Sequence, residues 1–247
     1  MGKIYEALEK AQREREKKGG KKPPLFVVSP GERAPGGFEV AAENEMVALS
    51  RNIDALLEAS PRKVIQFIGS QGGEGTSTVV RDFAMVSAAR FGKSVLLLDA
   101  DPQSPSQHLF FHLQPEFGWR EILRNKRTFR KALCRIGKTS LYVYPTPPGS
   151  ASLPEALFSP GIKEFWDAAK EKFDLVLIDS APASASPDGI SLSRYVDGVV
   201  LVLEAEKTRK PVAENLKNRI LQNGGNLLGM VFNNRRFHIP EAVYRRL

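Results

Sequence analysis

The sequence predicts an α/β fold in which a mostly parallel sheet carries helices on both of its faces. Short apolar runs rich in leucine and β-branched residues recur along the chain, and segments long enough for a helix separate most of them. Continuous apolar runs are typical of strands buried on both faces, and strands that alternate with helices favour a parallel sheet. The runs are Val64–Ile68, Val95–Leu98, Leu175–Ile178, Val199–Leu203 and Leu228–Phe232.

Before the first run the sequence has a different character. Ile4, Leu8 and Ala11 recur at helical spacing between charged residues, which predicts an amphipathic helix. This helix would dock on a partner, lie at a membrane surface, or pack back on its own domain. The predicted segments are an N-terminal helix over 1–18, a flexible linker rich in glycine and proline over 19–38, and a globular domain over 39–247 that opens with a helix over Asn44–Ala59.

The positive charge is concentrated at the two ends of the chain. Lys and Arg number 36 and Asp and Glu 28, which gives +8; residues 1–22 carry +4, residues 235–247 carry +3, and the long middle carries only +1. Basic ends on a near-neutral body favour contact with an anionic membrane or a partner over a nucleic-acid surface. Tails that only solubilise the protein are the alternative interpretation.

Cysteine content and hydropathy indicate the compartment. Cys134 is the only cysteine, so an intrachain disulfide is excluded and a reducing cytoplasm is the natural compartment. The apolar runs are far shorter than the roughly 18–20 residues that a membrane-spanning helix needs. The sequence therefore predicts a cytoplasmic chain without a membrane anchor of its own.

A glycine-rich turn follows the first apolar run and precedes a helix predicted over Val79–Arg90. Such a turn lets backbone N–H groups approach phosphate oxygens, and the helix dipole favours the anion. The pattern G-x-x-x-x-G-K-[ST] would place Ser77 as a magnesium ligand, but Thr76 occupies the lysine position. A purely structural turn is the alternative. The predicted cofactor-binding residues here are Gly72, Gly73, Glu74, Gly75, Thr76, Ser77 and Thr78.

Polar residues follow three of the later runs. Asp99 and Asp101 come after the second run and Asp179 after the third. Carboxylates at strand ends beside a phosphate loop can hold Mg²⁺, and one can accept a proton from an attacking hydroxyl. An aspartate in this position often only caps a helix. The glycine-rich loop and the two aspartate segments are, however, three sites in order on one sheet, and together they indicate a nucleotide site. Asn233 follows the last run. It is either a candidate to form hydrogen bonds with the edge of a purine base or a simple turn residue.

On these residues the chain resembles the bacterial tyrosine kinases of the CpsD/CapB type, which accompany exopolysaccharide polymerisation and export. These kinases are relatives of the MinD/ParA P-loop ATPases. The resemblance implies that the loop binds ATP or ADP, that Ser77 and Asp179 hold magnesium, and that Asp99 and Asp101 are catalytic. It also implies a membrane partner of the chain-length-regulator kind, which would recruit the chain to the inner face of the membrane. The matching stretches include Lys3–Ala11, Gly73–Gly75, Leu98–Asp101, Phe173–Asp179, Asp197–Val199 and Arg235–Pro240.

The chain departs from this family at functional positions. Thr76 replaces the phosphate-binding lysine, and Gln71 stands where MinD/ParA relatives carry a second lysine. One cationic group contributes up to about 10³–10⁵ in phosphoryl-transfer rate, so we expect transfer to be severely weakened while binding persists. Tyr244 alone remains of the family's tyrosine cluster, as the candidate phosphoacceptor. Asn44, Val47 and Ser50 replace the Glu and two Arg of the oligomerisation helix, which bears on whether a homo-oligomer forms.

The sequence supports three hypotheses about function. The leading hypothesis is an ATP-binding regulatory protein of exopolysaccharide assembly with weakened phosphotransfer and no nucleic-acid partner. The second is an active protein-tyrosine kinase that uses a substitute cation. The third is a MinD/ParA-like positioning ATPase whose basic ends contact lipid or DNA.

Overall fold

The fold is centred on an eight-stranded sheet. The computed structural model describes residues 42–115, 132–148 and 162–234 together with the backbone of residues 25–27. The strands are β1 (Leu25–Val27), β2 (Lys63–Gly69), β3 (Val95–Ala100), β4 (Cys134–Arg135), β5 (Leu141–Tyr144), β6 (Leu175–Ser180), β7 (Gly198–Glu204) and β8 (Leu227–Asn233). They lie in the order β1-β8-β7-β2-β6-β3-β5-β4. Neighbours are parallel except for the antiparallel pair β4 and β5.

Helices cover both faces of this sheet. The described helices are α1 (Glu43–Leu56), α2 (Thr76–Arg90), α3 (Gln107–Phe110), α4 (Ile162–Lys170), α5 (Asp188–Leu192) and α6 (Lys210–Gln222). Helices α1 and α2 share one core cluster with Ile65 and Phe67 of β2. Val64 packs with α4 on the opposite face, as does Ile68 with α6. Because successive strand residues point to opposite faces, β2 contributes to both halves of the core.

The predicted fold class is confirmed, and each of the five predicted strands lies within an observed strand. Strands β1, β4 and β5 were not predicted. β1 lies inside the segment predicted as linker, where pairing of Leu25 with Met230 of β8 outweighs the surrounding glycines and prolines. The predicted N-terminal helix and most of the linker lie outside the described residues, so the boundaries at 18 and 38 stay predictions. In the described ranges, no helix combines the length and apolar character needed to cross a bilayer.

The carboxyl ends of three strands meet at one edge of the sheet. β2 lies between β6 and β7, and β6 in turn pairs with β3. Asp99 of β3 is registered opposite Asp179 of β6, which is itself opposite Phe67 of β2. In sheets of this kind ligands bind in the crevice beyond the carboxyl ends, where the strand order reverses. The three predicted acidic residues and the glycine-rich loop are thus brought to the same place.

Candidate functional site

The glycine-rich loop joins the end of β2 to the start of α2. Gly73 and Gly75 have positive φ angles of 87° and 83°, a conformation that glycine adopts without steric cost. Gln71, Gly72 and Gly73 are exposed. The loop leads into the N-terminus of a 15-residue helix, where unpaired N–H groups and the helix dipole favour a bound anion.

The side chain of Glu74 points into the protein and holds the loop together. Only 3% of Glu74 is exposed. Its carboxylate accepts hydrogen bonds from the N–H of Ser70 at 2.5 Å, the Ser70 hydroxyl at 2.6 Å and the N–H of Gln71 at 3.0 Å. The hydroxyl of Thr208, between β7 and α6, also donates to it at 2.5 Å. Glu74 is one of the predicted cofactor-binding residues, and this arrangement leaves that role to its backbone N–H.

Asn233, at the end of β8, braces the same loop. Its Nδ2 donates to the carbonyl oxygen of Glu74 at 3.0 Å, and the residue is 7% exposed. A Cβ atom added to Gly75 would lie 2.0 Å from that Nδ2. Only glycine therefore permits this contact at position 75. The predicted purine contact of Asn233 stays a prediction.

Ser77 and Asp179 face each other at the start of α2. The Ser77 hydroxyl donates to Asp179 Oδ1 at 3.1 Å. Gln107 lies beside this pair: its Nε2 donates to Asp179 Oδ2 at 2.7 Å and to the carbonyl oxygen of Ser77 at 3.1 Å. Sequence reasoning placed Ser77 and Asp179 together but missed Gln107, because a glutamine after a strand end matches no ligand pattern.

Asp99 and Asp101 are held by backbone donors. Asp99 is fully buried and accepts hydrogen bonds from the N–H groups of Asp101 at 3.2 Å, Ser106 at 3.0 Å and Gln107 at 3.1 Å. One oxygen of Asp101, which is 9% exposed, accepts from the N–H groups of Gln103 and Ser104 at 3.1 and 3.0 Å. The segment after β3 is thereby folded around its two carboxylates.

Burial makes negative charge costly at this edge of the sheet. It raises the pKa of the Asp99 carboxyl well above its usual range, and the charge of Asp179 raises it further. Burial also raises the pKa of Asp179 to about 6, although the hydrogen bonds from Gln107 and Ser77 oppose the change. The charge of Asp101 raises the Asp179 pKa and that of Arg81 lowers it. A bound cation would relieve this repulsion.

Positive charge is absent from the loop itself. Residues 69–78 contain no Lys or Arg, and the half-buried Thr76 turns its hydroxyl towards Gly69, 2.7 Å from where a Cβ atom there would lie. Arg81, one turn further along α2, is 5% exposed. Its guanidinium carbon lies 3.7 Å from the centre of the Phe110 ring, and Nη2 donates to the Thr78 hydroxyl at 3.3 Å.

The donor set fits magnesium carried by a nucleotide better than a metal held by protein alone. Ser77 and Asp179 offer the hard oxygen ligands that Mg²⁺ prefers, and the ion usually combines one or two carboxylates with substrate phosphates and water. Within residues 42–115, 132–148 and 162–234, no group of three or more His, Cys, Asp and Glu is arranged to hold a metal ion. Tyr244, the candidate phosphoacceptor, lies outside the described residues.

Comparisons with known proteins place this site in a family. No family model matches the chain. Tyrosine-protein kinase YwqD of Bacillus subtilis (strain 168) is 33% identical over 177 residues, which cover 70% of this chain and 73% of YwqD. The chain belongs to the bacterial tyrosine kinase family. Tyrosine-protein kinase CpsD of Streptococcus pneumoniae is 28% identical over 197 residues, 79% of this chain and 86% of CpsD.

Some relatives are much longer than this chain. The succinoglycan biosynthesis transport protein ExoP of Rhizobium meliloti (strain 1021) is 27% identical over 185 residues, 73% of this chain but only 23% of ExoP. Among solved structures, the chimerical protein CapA2B2 superposes with a TM-score of 0.76 at 22% identity, covering 92% of this chain and all of CapA2B2.

The septum site-determining protein MinD of Pyrococcus horikoshii OT3, solved with Mg-ADP, shares the fold at a TM-score of 0.59 and 20% identity. The superposition covers 74% of this chain and 76% of MinD. The mostly parallel sheet with helices on both faces is thus that of MinD-like P-loop proteins and of bacterial tyrosine kinase domains.

Proposed function

We propose that this chain is an ATP- or ADP-binding regulatory protein of exopolysaccharide polymerisation and export, in which phosphoryl transfer is weakened. The observation that carries the proposal is the Ser77–Asp179 hydrogen bond of 3.1 Å at the start of α2, beside a loop without Lys or Arg. The oxygen ligands for a magnesium-bound nucleotide are retained, whereas the loop cation that serves transfer is missing.

Nucleotide binding is assigned to groups that do not need a lysine. The backbone N–H groups of the loop from Gly72 to Thr78 and the N-terminus of α2 would hold the phosphates. Ser77 and Asp179 would hold Mg²⁺, which, when bound, neutralises phosphate charge and orients the phosphates. Glu74 and Asn233 act indirectly by fixing the shape of the loop through the contacts described above.

Transfer is weakened because the site has an excess of negative groups. Asp99, Asp101 and Asp179 meet at the edge of the sheet, and Asp101, the more exposed of the first two, is the better placed to accept a proton from an attacking hydroxyl. Thr76 supplies no charge to the phosphoryl group in transfer, and electrostatic stabilisation of that group is normally the largest catalytic contribution. We therefore assign Asp99 and Asp101 as the catalytic residues of a slow reaction.

A polysaccharide-export role would require attachment to a membrane. We assign a partner of the chain-length-regulator kind, supported by the likeness to CpsD and to ExoP, whose name describes succinoglycan transport. The protein would act in the cytoplasm, at the inner face of the membrane. Residues 1–18 and the basic C-terminal residues 235–247 are the proposed attachment segments. Co-purification of the full chain with such a membrane protein from the native host would support this assignment, and its loss on deletion of both segments would locate the contact.

Replacing Ser77 with alanine tests the proposed nucleotide site. Because this change removes a magnesium ligand, we expect the affinity for ADP in the presence of Mg²⁺ to fall by about tenfold or more, since even indirect partners of a metal contribute 10–100-fold. Titration calorimetry of ADP with Mg²⁺ and with EDTA measures the effect. Ser87→Ala, a buried serine on the same helix, should leave both affinities unchanged. Wild-type protein that binds neither ADP nor ATP with Mg²⁺ would refute nucleotide binding.

An active tyrosine kinase with a substitute cation is the second candidate, and Arg81 favours it. Arg81 is buried on α2, and its charge lowers the pKa of Asp179. In this case wild-type protein would incorporate label from γ-labelled ATP at Tyr244 or another tyrosine. Arg81→Met should then abolish incorporation, as should Asp99→Asn, while Lys93→Met, in the loop between α2 and β3, should not. Absence of label in the wild-type protein would exclude this candidate.

A further inference from the structure

Gln107 touches all three parts of the candidate magnesium site. Its backbone N–H donates to Asp99 Oδ2 at 3.1 Å, and its side-chain Nε2 donates both to Asp179 Oδ2 at 2.7 Å and to the carbonyl oxygen of Ser77 at 3.1 Å. The residue is completely buried. One neutral residue thus links, through its backbone and its side chain, Asp99 of β3, Asp179 of β6 and the first turn of α2.

The other end of the same amide has no partner. Gln107 Oε1 is buried and accepts no hydrogen bond from the residues that the structure describes. Oε1 and Nε2 belong to one planar carboxamide, so Oε1 is bonded to the same carbon atom as the nitrogen that contacts Ser77 and Asp179. Buried acceptors are seldom left unpaired in native proteins, and an acceptor at this position suits a donor that arrives with a ligand.

We infer that Gln107 is a positioning residue of the magnesium site. Its Nε2 holds Asp179 so that Oδ1 faces Ser77, and its Oε1 accepts a hydrogen bond from a water molecule of the hydrated cation. Mg²⁺ gives up its water reluctantly and keeps several molecules when it binds. This role rests on the proposed function, since it presumes that a nucleotide brings the cation to Ser77 and Asp179.

A glutamine suits this position because it is neutral. A carboxylate here would add a further negative charge beside Asp99, Asp101 and Asp179, and burial already raises the pKa values of Asp99 and Asp179. A lysine would compete with the cation for Asp179. The amide supplies a donor to the carboxylate and an acceptor to water without changing the charge of the site.

Gln107→Leu tests this role, with calorimetry of ADP binding as the measurement. We expect the enhancement of ADP affinity by Mg²⁺ to fall by about 10–100-fold, the usual cost of removing a group that supports a metal ligand. Affinity for ADP in EDTA should stay unchanged, because the phosphate-binding loop is not altered. Mn²⁺ can replace Mg²⁺ as a probe in this test. Electron paramagnetic resonance should then show a larger fraction of free Mn²⁺ with the Gln107→Leu variant than with the wild-type protein in the presence of ADP. Gln107→Met, an unbranched substitute, gives the same test if the leucine variant does not fold.

Gln66→Leu is the matched control. Gln66 is also completely buried and also has an Oε1 without a partner among the described residues. Its Nε2 donates to the Ser180 hydroxyl at 2.8 Å and to the carbonyl oxygen of Gly189 at 2.6 Å. Because residues alternate along a strand, this amide lies on the face of the sheet opposite Asp179. We expect a loss of stability in this variant with the magnesium enhancement intact.

The outcomes separate the two proposals. Unchanged magnesium enhancement in both Gln107 variants would overturn the positioning role and leave the proposed function standing. Equal loss in the Gln66 and Gln107 variants would reduce Gln107 to a structural residue and overturn the role as well. Wild-type protein that binds ADP with no magnesium enhancement would contradict the magnesium site itself, and with it both proposals.

Discussion

Thr76→Lys should raise the rate of ATP hydrolysis or of tyrosine phosphorylation by about 10²–10³-fold over the wild-type chain. A fixed donor or cation at the charge that develops in the transition state is worth this much or more. Thr76 begins α2 directly after Gly75, and the ligands Ser77 and Asp179 already lie within 3.1 Å of each other. The lysine would therefore act on a site in which the two proposed magnesium ligands already contact each other. Radiolabelled ATP with purified full-length chain measures both reactions.

Two further variants test whether the positive charge of the lysine causes the gain in rate. Thr76→Met adds length without charge and should give no gain. Thr76→Lys combined with Asp99→Asn should lose the gain, because the proposed acidic residue is removed. If the lysine variant binds ADP with Mg²⁺ yet remains as slow as wild type, the missing charge is not what limits transfer.

Asp179→Asn should stabilise the fold at neutral pH while it abolishes magnesium binding. The pKa of Asp179 is raised from 3.8 to about 6 in the folded protein. The folded state therefore holds a proton more tightly than the unfolded state, and stability falls as pH rises from about 4 to about 6. At 1.36 kcal/mol for each pKa unit, the ionised carboxylate costs on the order of 3 kcal/mol at pH 7. Asparagine has the same shape, accepts from Gln107 and donates to the Ser77 hydroxyl, and carries no charge.

Denaturant unfolding in EDTA at pH 4 and at pH 7.5 measures this difference. The free energy of unfolding should be higher in Asp179→Asn than in wild type at pH 7.5, by up to about 3 kcal/mol, and nearly equal at pH 4. Asp167→Asn, on the exposed side of α4, should change little at either pH. A variant that is less stable than wild type at pH 7.5 would show that the hydrogen bonds of the carboxylate outweigh the cost of its burial.

The strands that carry the site were predictable because burial on both faces leaves a continuous apolar run. The runs that end at Asp99 and Asp179 are of this kind, so the meeting of these carboxylates followed from parallel pairing alone. β1 and β5 escaped prediction for different reasons. The three residues of β1 depend on hydrogen bonds to β8 rather than on their own pattern. Two of the four residues of β5 are tyrosines, so β5 does not form the run of leucine and β-branched residues on which the strand prediction depended.

Side-chain direction in the site was the part that the sequence could not supply. Glu74 looks like a ligand-contacting loop residue, but three donors within the loop and the hydroxyl of Thr208 turn it inward. Thr208 lies 134 residues further along the chain, so no local pattern connects the two. Gln107 is similar: its importance depends on which strands lie beside it, and it appears only when Asp99 and Asp179 are placed in register.

The pairing of β1 with β8 ties the first described residues of the chain to the last described strand. Residues 1–22, with a charge of +4, lead into β1 at Leu25, which lies level with Met230. Residues 235–247, with a charge of +3, follow Asn234, roughly 13 Å further along the strand direction. If both proposed attachment segments bind the same surface, engagement of one raises the local concentration of the other, so the pair holds more firmly than either segment alone. Paired weak contacts of this kind would give firm but reversible anchorage.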